Sequence, residues 1–201
     1  TPPMKMRMSS LLSLLAGLML SVGAGAQNIS IATGGTGGVY YPMGGGIAAQ
    51  AANAGLPVLL FDVTKAAAAG AIERLLNTVP APFMRTENAR LVTPFGIDSD
   101  LDQLKDCGWI VEAIVEKLDV KQQLYSRIEA MMAADAIVSS NTSTIPLSAL
   151  TANASAGFRK RFLITHFFNP PRHMRLLEIV SGPQTDAEAV AAISHFADVS
   201  L

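Results

Sequence analysis

The sequence has a single cysteine, Cys107, which excludes an internal disulfide and any zinc site built on cysteines. Histidine is nearly as scarce, and the scatter of His166, His173 and His195 argues against a metal centre. An excess of one charge is also missing. Fifteen Lys and Arg against sixteen Asp and Glu leave a formal net charge of −1, without the basic surplus that nucleic-acid binding requires. What the chain has in quantity is apolar surface. Half of its 201 residues are hydrophobic, which fits an ordinary globular core and excludes a disordered chain. That length accommodates one α/β domain or two very small ones.

The N-terminus is different in kind. Lys5 and Arg7 precede an uncharged stretch from Ser9 to Ala26 with an apolar core from Leu11 to Leu20, closing on Ala24-Gly25-Ala26. Basic start, short apolar core and small-residue exit predict a secretory signal peptide over 1–26, cleaved before Gln27. The core falls short of the ~20 residues that span a bilayer. A buried N-terminal helix is the competing reading. Thr1-Pro2-Pro3 ahead of the first methionine predicts that the natural start lies elsewhere.

From residue 27 onward the pattern is that of one α/β domain. Asn28 to Thr33 reads as a strand, 34–42 as a glycine-rich loop, and Gly44 to Ala54 as a helix stopped by Gly55. Pro57 to Asp62 is a continuous apolar run ended by an acid, which suits a strand buried on both faces of a parallel sheet. Helices follow at Ala66–Leu76 and Leu101–Lys105, and strands at Ala89–Thr93 and Trp109–Ala113. Val120 to Met132 is a helix with Leu124, Ile128 and Met131 at helical spacing. Strands at Ala136–Ser140, Phe162–Phe167 and Leu176–Val180 precede a last helix over Ala187–Val199. Alternating strands and helices predict a Rossmann-like, doubly wound, mainly parallel sheet.

Such sheets bind ligands beyond the carboxyl ends of their strands, so the residues there carry the chemistry. Gly44-Gly45-Gly46-Ile47-Ala48-Ala49 satisfies G-x-G-x-x-A, the spacing that lets backbone approach a pyrophosphate at a helix N-terminus. Asp62 stands where a carboxylate accepts from adenosine ribose hydroxyls, although an ordinary strand-end cap would look the same. Ser139-Ser140-Asn141-Thr142-Ser143-Thr144 supplies a dense set of hydrogen-bonding groups, and a capped helix start would also use them. His166 ends another strand, and Glu178 lies twelve positions on, in the next strand. A histidine and a carboxylate so placed can form an oriented acid–base dyad, predicted to lie within hydrogen-bond reach. A core histidine among phenylalanines is the alternative.

Four stretches occur together in order: 43–63, 106–125, 137–150 and 165–185. With His166-Phe167-Phe168-Asn169-Pro170 after Ser140-Asn141-Thr142-Ser143, and Glu178 downstream, the chain from Met43 to Leu201 resembles the NAD-binding domain of L-3-hydroxyacyl-CoA dehydrogenases. The resemblance implies oxidation of L-3-hydroxyacyl-CoA to 3-ketoacyl-CoA with NAD as cofactor, in the cytoplasm. It implies His166 as catalytic base with Glu178 orienting it, and Ser143 and Asn141 by the substrate oxygen and nicotinamide. Glu116 would lie near the nicotinamide and Lys121 near the CoA side of the cleft. Gly44 and Gly46 would lie at the cofactor, Asp62 on the ribose, and Asn169 would position the substrate site. It further implies a helical domain after Leu201 that completes the acyl pocket and makes a homodimer, so this fragment is expected to be inactive alone. Counting back from Gly44, the family's first two turn glycines fall on Val39 and Tyr41, whose β-carbons would obstruct a pyrophosphate.

The front end resembles something else. A signal-like segment followed by Gly34-Gly35-Thr36-Gly37-Gly38-Val39-Tyr40-Tyr41-Pro42 is similar to the start of TAXI-type solute receptors of tripartite periplasmic transporters, over about Met4 to Ala48. There the glycine loop belongs to the ligand cleft. The two resemblances meet near Pro42 to Ala48, which reads as a junction of two unrelated genes. The alternatives to a dehydrogenase are therefore an exported solute-binding protein or an inert chimera.

Overall fold

The computed structural model describes residues 28–33, 40–174 and 176–201. The signal-like segment 1–26 and most of the glycine loop (34–39) lie outside the described residues. The strands are β1 (Asn28–Thr33), β2 (Val58–Asp62), β3 (Val92–Gly96), β4 (Cys107–Ala113), β5 (Ile137–Ser140), β6 (Phe162–Phe167) and β7 (Leu177–Val180). The helices are α1 (Tyr40–Asn53), α2 (Lys65–Asn77), α3 (Leu118–Met131), α4 (Leu147–Leu150), α5 (Ala156–Lys160) and α6 (Ala187–Ser200), with 3-10 turns at Thr86–Leu91 and Leu101–Asp106. Among the described residues no helix is long and apolar enough to cross a membrane.

The strands form one sheet in the order β3-β2-β1-β4-β5-β6-β7, parallel except for the last pair. This is the Rossmann-like arrangement. The chain leaves β1 toward β2 on one side and returns to β4 on the other, so a crevice opens where the strand order reverses. Helices cover both faces. Ala48, Ala49, Ala51 and Ala52 of α1 are buried, and their small side chains let the helix lie close on Ile29 and Ile31 beside Ala189 and Ile193 of α6. On the other face Leu124, Tyr125 and Ile128 of α3 pack with Ile110, Val138, Phe158 and Phe162. Each large apolar side chain so buried contributes about 1.5–3 kcal/mol.

Two sequence expectations shift. Helix α1 starts at Tyr40, four residues before Gly44, because Pro42 fits a first helical turn, where its missing N–H has no partner to lose. The strand expected over 89–93 begins at Val92 and runs through Pro94 to Gly96. Pro94 is tolerated because β3 is the sheet's edge. The stop of α1 is as expected. Gly55 takes φ +82°, and the amides of Gly55 and Leu56 donate to Ala52 O at 3.0 Å and Ala51 O at 3.2 Å, a Schellman closure.

Under the carboxyl ends, a side-chain chain ties three strands together. Ser139 Oγ in β5 accepts from Trp109 Nε1 of β4 at 2.9 Å and from Thr165 Oγ1 of β6 at 2.7 Å. This gives the site above it a stiff floor.

Candidate active site

Strand β7 runs antiparallel to β6 because the chain doubles back through Asn169-Pro170-Pro171-Arg172 rather than crossing over a helix. In that register His166 faces Glu178 directly, and facing residues of an antiparallel pair project to the same side. Their contact, His166 Nδ1 to Glu178 Oε2, is 2.8 Å. A carboxylate only accepts, so Nδ1–H donates, and in the neutral ring Nε2 then keeps its lone pair. The Phe168 ring flanks the imidazole, centroids 4.7 Å apart. The imidazole is 23% exposed and the carboxylate 53%, so both are reachable from outside. They open on a groove of about 280 Å³ that Thr142, Ser143, Thr144 and Ile145 also line.

Asn141 is buried and acts as a tie. Its Oδ1 accepts from Phe167 N at 2.8 Å, one residue past His166, and its backbone N donates to Glu112 O at 2.7 Å. The loop after β5 is thereby fixed to the neighbours of both β4 and β6.

Behind that loop lies a buried polar cluster. Glu112, fully buried in β4, accepts from Lys121 Nζ at 2.6 Å and Ile114 N at 2.7 Å on Oε1. Its Oε2 accepts from Tyr125 OH at 2.5 Å and Ser140 Oγ at 2.6 Å. Burial, then the adjacent Glu112 charge, push the Tyr125 phenol well above its ordinary value, so it stays a donor. Glu116 stands at the cluster's outer edge. Its Oε1 accepts from the Thr142 hydroxyl and from Thr144 Oγ1 at 3.0 Å. Its Oε2 lies 3.3 Å from Lys121 Nζ but is buried without a well-aligned hydrogen-bond partner. Burial alone would raise the Glu116 carboxyl; the Thr142 hydrogen bond, the Lys121 charge, the Thr144 hydrogen bond and, least of these, the close approach of the Lys121 ammonium as a donor together bring it below its ordinary value.

The remaining expected residues are placed unevenly. Asp62 ends β2 fully buried, its Oδ1 accepting from Val63 N at 2.7 Å. Gly44 is buried inside α1, where the last glycine of the family turn allows close helix–sheet packing. Gly46, expected at the cofactor, is also inside α1 and faces Pro171: a Cβ there would meet Pro171 Cδ at 3.0 Å. Lys121, expected near the CoA side of the cleft, is 1% exposed and held by Glu112 and Glu116, because a buried ammonium needs carboxylate partners. Asn169, expected at the substrate site, is exposed outside the His166 groove and borders a separate apolar pocket of about 410 Å³ with Gly46, Leu75, Pro80 and Pro171. The sequence reading did not single out Glu112 or Tyr125, and it gave Thr142 and Thr144 only as members of the polar run after β5. The available signal was an acid inside the apolar run Trp109-Ile110-Val111-Glu112-Ala113, since a buried charge must have a partner. Among the described residues no cluster of His, Cys, Asp or Glu is placed to hold a metal ion.

Residues 32–199 match the family described as "3-hydroxyacyl-CoA dehydrogenase, NAD binding domain". That match begins within the stretch resembling a solute receptor. Over 166 residues the chain is 43% identical to a Deinococcus radiodurans protein named "Probable 3-hydroxyacyl-CoA dehydrogenase", covering 79% of this chain and 48% of that protein. A Bacillus subtilis protein of the same name is 35% identical over 177 residues, covering 78% of this chain and 22% of that one. The chain thus spans about half, or less, of the length of these curated relatives. The crystal structure of 3-hydroxybutyryl-CoA dehydrogenase from Escherichia coli superposes with a TM-score of 0.72 at 29% identity, over 87% of this chain and 36% of that one. With the reversed strand order, the 2.8 Å His166–Glu178 contact and the match over 32–199, the chain belongs to the NAD-binding domain family of the 3-hydroxyacyl-CoA dehydrogenases.

Proposed function

We propose that this chain is the cofactor-binding part of an enzyme that oxidises L-3-hydroxyacyl-CoA to 3-ketoacyl-CoA, with His166 as general base. The observation that carries the reading is the His166–Glu178 contact of 2.8 Å on the rim of the groove that Ser143 shares.

The strand-end residues fit NAD, with Val39 and Tyr41 standing where the family's turn has glycine. Asp62 closes β2 beside the point of strand reversal, where a ribose is held in such sheets. Among the described residues Glu116 Oε2 has only the Lys121 ammonium near it, at 3.3 Å and poorly aligned, which leaves room to accept from a ligand N–H or O–H. When bound, NAD supplies the acceptor for the hydride that leaves the substrate carbon.

The chain's own residues handle the proton. His166 Nε2 takes the hydroxyl proton as the carbon–oxygen double bond forms, and returns it when a ketone is reduced. Glu178 keeps Nδ1 protonated, so the base faces outward, and its charge stabilises the imidazolium. Such a base contributes about 10²–10⁴-fold in rate. The exposed Ser143 hydroxyl, on the same groove, donates to the substrate oxygen. Asn141 keeps the two walls in register through Phe167.

The test is a fluorescence titration of the full chain with NADH, followed by acetoacetyl-CoA. Saturable binding of both is expected, with no response to small carboxylates. A chain that binds carboxylates and ignores NADH would overturn the reading.

A further inference from the structure

We infer that Glu112 is a positioning residue: by drawing the Lys121 ammonium onto its own Oε1, it leaves Glu116 Oε2 only loosely paired and so able to accept from a ligand. The inference rests on the proposed function for the identity of the donor that Oε2 awaits, but not for the geometry.

Lys121 has two carboxylates within reach and is not shared equally. Its Nζ lies 2.6 Å from Glu112 Oε1, closely hydrogen-bonded, and 3.3 Å from Glu116 Oε2, a longer and poorly aligned ion pair. The preference follows from how each acid is held. All four bonds to Glu112 come from fixed neighbours: the backbone of Ile114, the buried Tyr125 and Ser140, and Lys121 itself. Glu112 and Lys121 are 0% and 1% exposed, so neither has water as an alternative partner. Glu116 is 14% exposed, and its other oxygen is anchored by Thr142 and Thr144 from the loop carrying Ser143. The charged groups facing Glu116 are Lys121 of α3 and Glu112 of β4, with the neutral Tyr125 phenol behind them.

Remove the Glu112 charge and Lys121 has only Glu116 to pair with. The ammonium then closes the gap to Oε2, occupies the loosely paired acceptor and pulls on the loop that Oε1 anchors. Removing Lys121 as well leaves nothing to occupy it. This separates positioning from mere support, because loss of support would accumulate from the first substitution to the second.

The experiment compares the full chain with Glu112→Gln and with Glu112→Gln/Lys121→Met. One readout is the Glu116 carboxyl titration by carbon-detected NMR, which needs no ligand; the other is NADH affinity. Glu112→Gln should lower the Glu116 midpoint by about 1 unit, as a fully paired cation does. It should also weaken NADH binding about tenfold. The double variant should raise the midpoint above that of the unaltered chain and bring NADH affinity back to within about threefold. An unmoved midpoint in Glu112→Gln, or a double variant that binds NADH no better than the single, overturns the inference. If Glu112→Gln does not fold, the double variant, whose buried cluster is neutral, decides alone: its NADH affinity must stay within about threefold of the unaltered chain, and a larger loss overturns the inference. If the unaltered chain binds no NADH, the proposed function fails while the Glu116 midpoint still judges the role of Glu112.

Discussion

The Asn141 side chain accepts the backbone N–H of Phe167 at 2.8 Å, joining the loop after β5 to the strand position next to His166. Both ends are buried. Asn141→Ala therefore leaves an amide inside the sheet without an acceptor and should cost about 1–3 kcal/mol in urea unfolding. Asn141→Asp keeps an acceptor and should cost less. Equal losses from the two would show that the tie is not what stabilises this corner.

The glycines of α1 separate helix packing from cofactor contact. A Cβ at Gly46 meets the Pro171 ring at 3.0 Å, and the ring cannot rotate away. A Cβ at Gly45 meets only the flexible tip of Leu75 at 3.2 Å. Gly45→Ala should be neutral to stabilising, since alanine favours a helix interior by about 1 kcal/mol over glycine. In Gly46→Ala that gain should be cancelled or reversed, lowering Tm relative to Gly45→Ala, while NADH affinity stays the same. A stable Gly46→Ala with lost NADH affinity would return Gly46 to the cofactor site.

Cys107 is buried at the start of β4, and burial followed by the Asp106 charge pushes its thiol up to about 12. At pH 8 only about 10⁻⁴ of it is thiolate, the reactive form. Iodoacetamide should therefore leave the native chain unlabelled over hours and alkylate it readily in denaturant. Rapid labelling of the native chain would place Cys107 outside the core.

The pH dependence of Glu116 has a definite sign. Its carboxyl lies below the ordinary value of 4.5, so it holds its charge more tightly folded than unfolded. The stability this contributes is fully present above 4.5 and is lost as pH falls through the lower folded value. The stability difference between the unaltered chain and Glu116→Gln, measured by denaturant unfolding, should be constant near neutrality and shrink in acid. A difference that grows in acid would contradict this.

Much of this molecule is legible in the sequence because its strands are apolar runs stopped by chemistry-bearing residues. Asp62, Asn141 and His166 stand at or near strand ends, where periodicity stops and polarity begins. Gly55 announces the end of α1 because the closure it makes needs positive φ. The start of α1 is less visible, since Tyr40-Tyr41-Pro42 directly follows a glycine-rich stretch and reads as its continuation when nothing shows the sheet the helix packs on. Edge position explains the misjudged β3, where Pro94 reads as a stop but leaves no central ladder broken. The cluster around Glu112 is three-dimensional: β4, α3 and β5 each supply a member, and only the fold shows that Lys121 is held rather than offered.

The proposed oxidation depends most heavily on His166 acting as base with Glu178 aligning it. The direct measurement is NADH oxidation with acetoacetyl-CoA by this chain joined to the C-terminal half of its Deinococcus radiodurans relative. His166→Gln should lower kcat by about 10²–10⁴-fold, and Glu178→Gln should lower it comparably by freeing the imidazole to turn, with NADH affinity unchanged in both. His166→Gln turning over at the rate of the unaltered fusion would contradict the assignment.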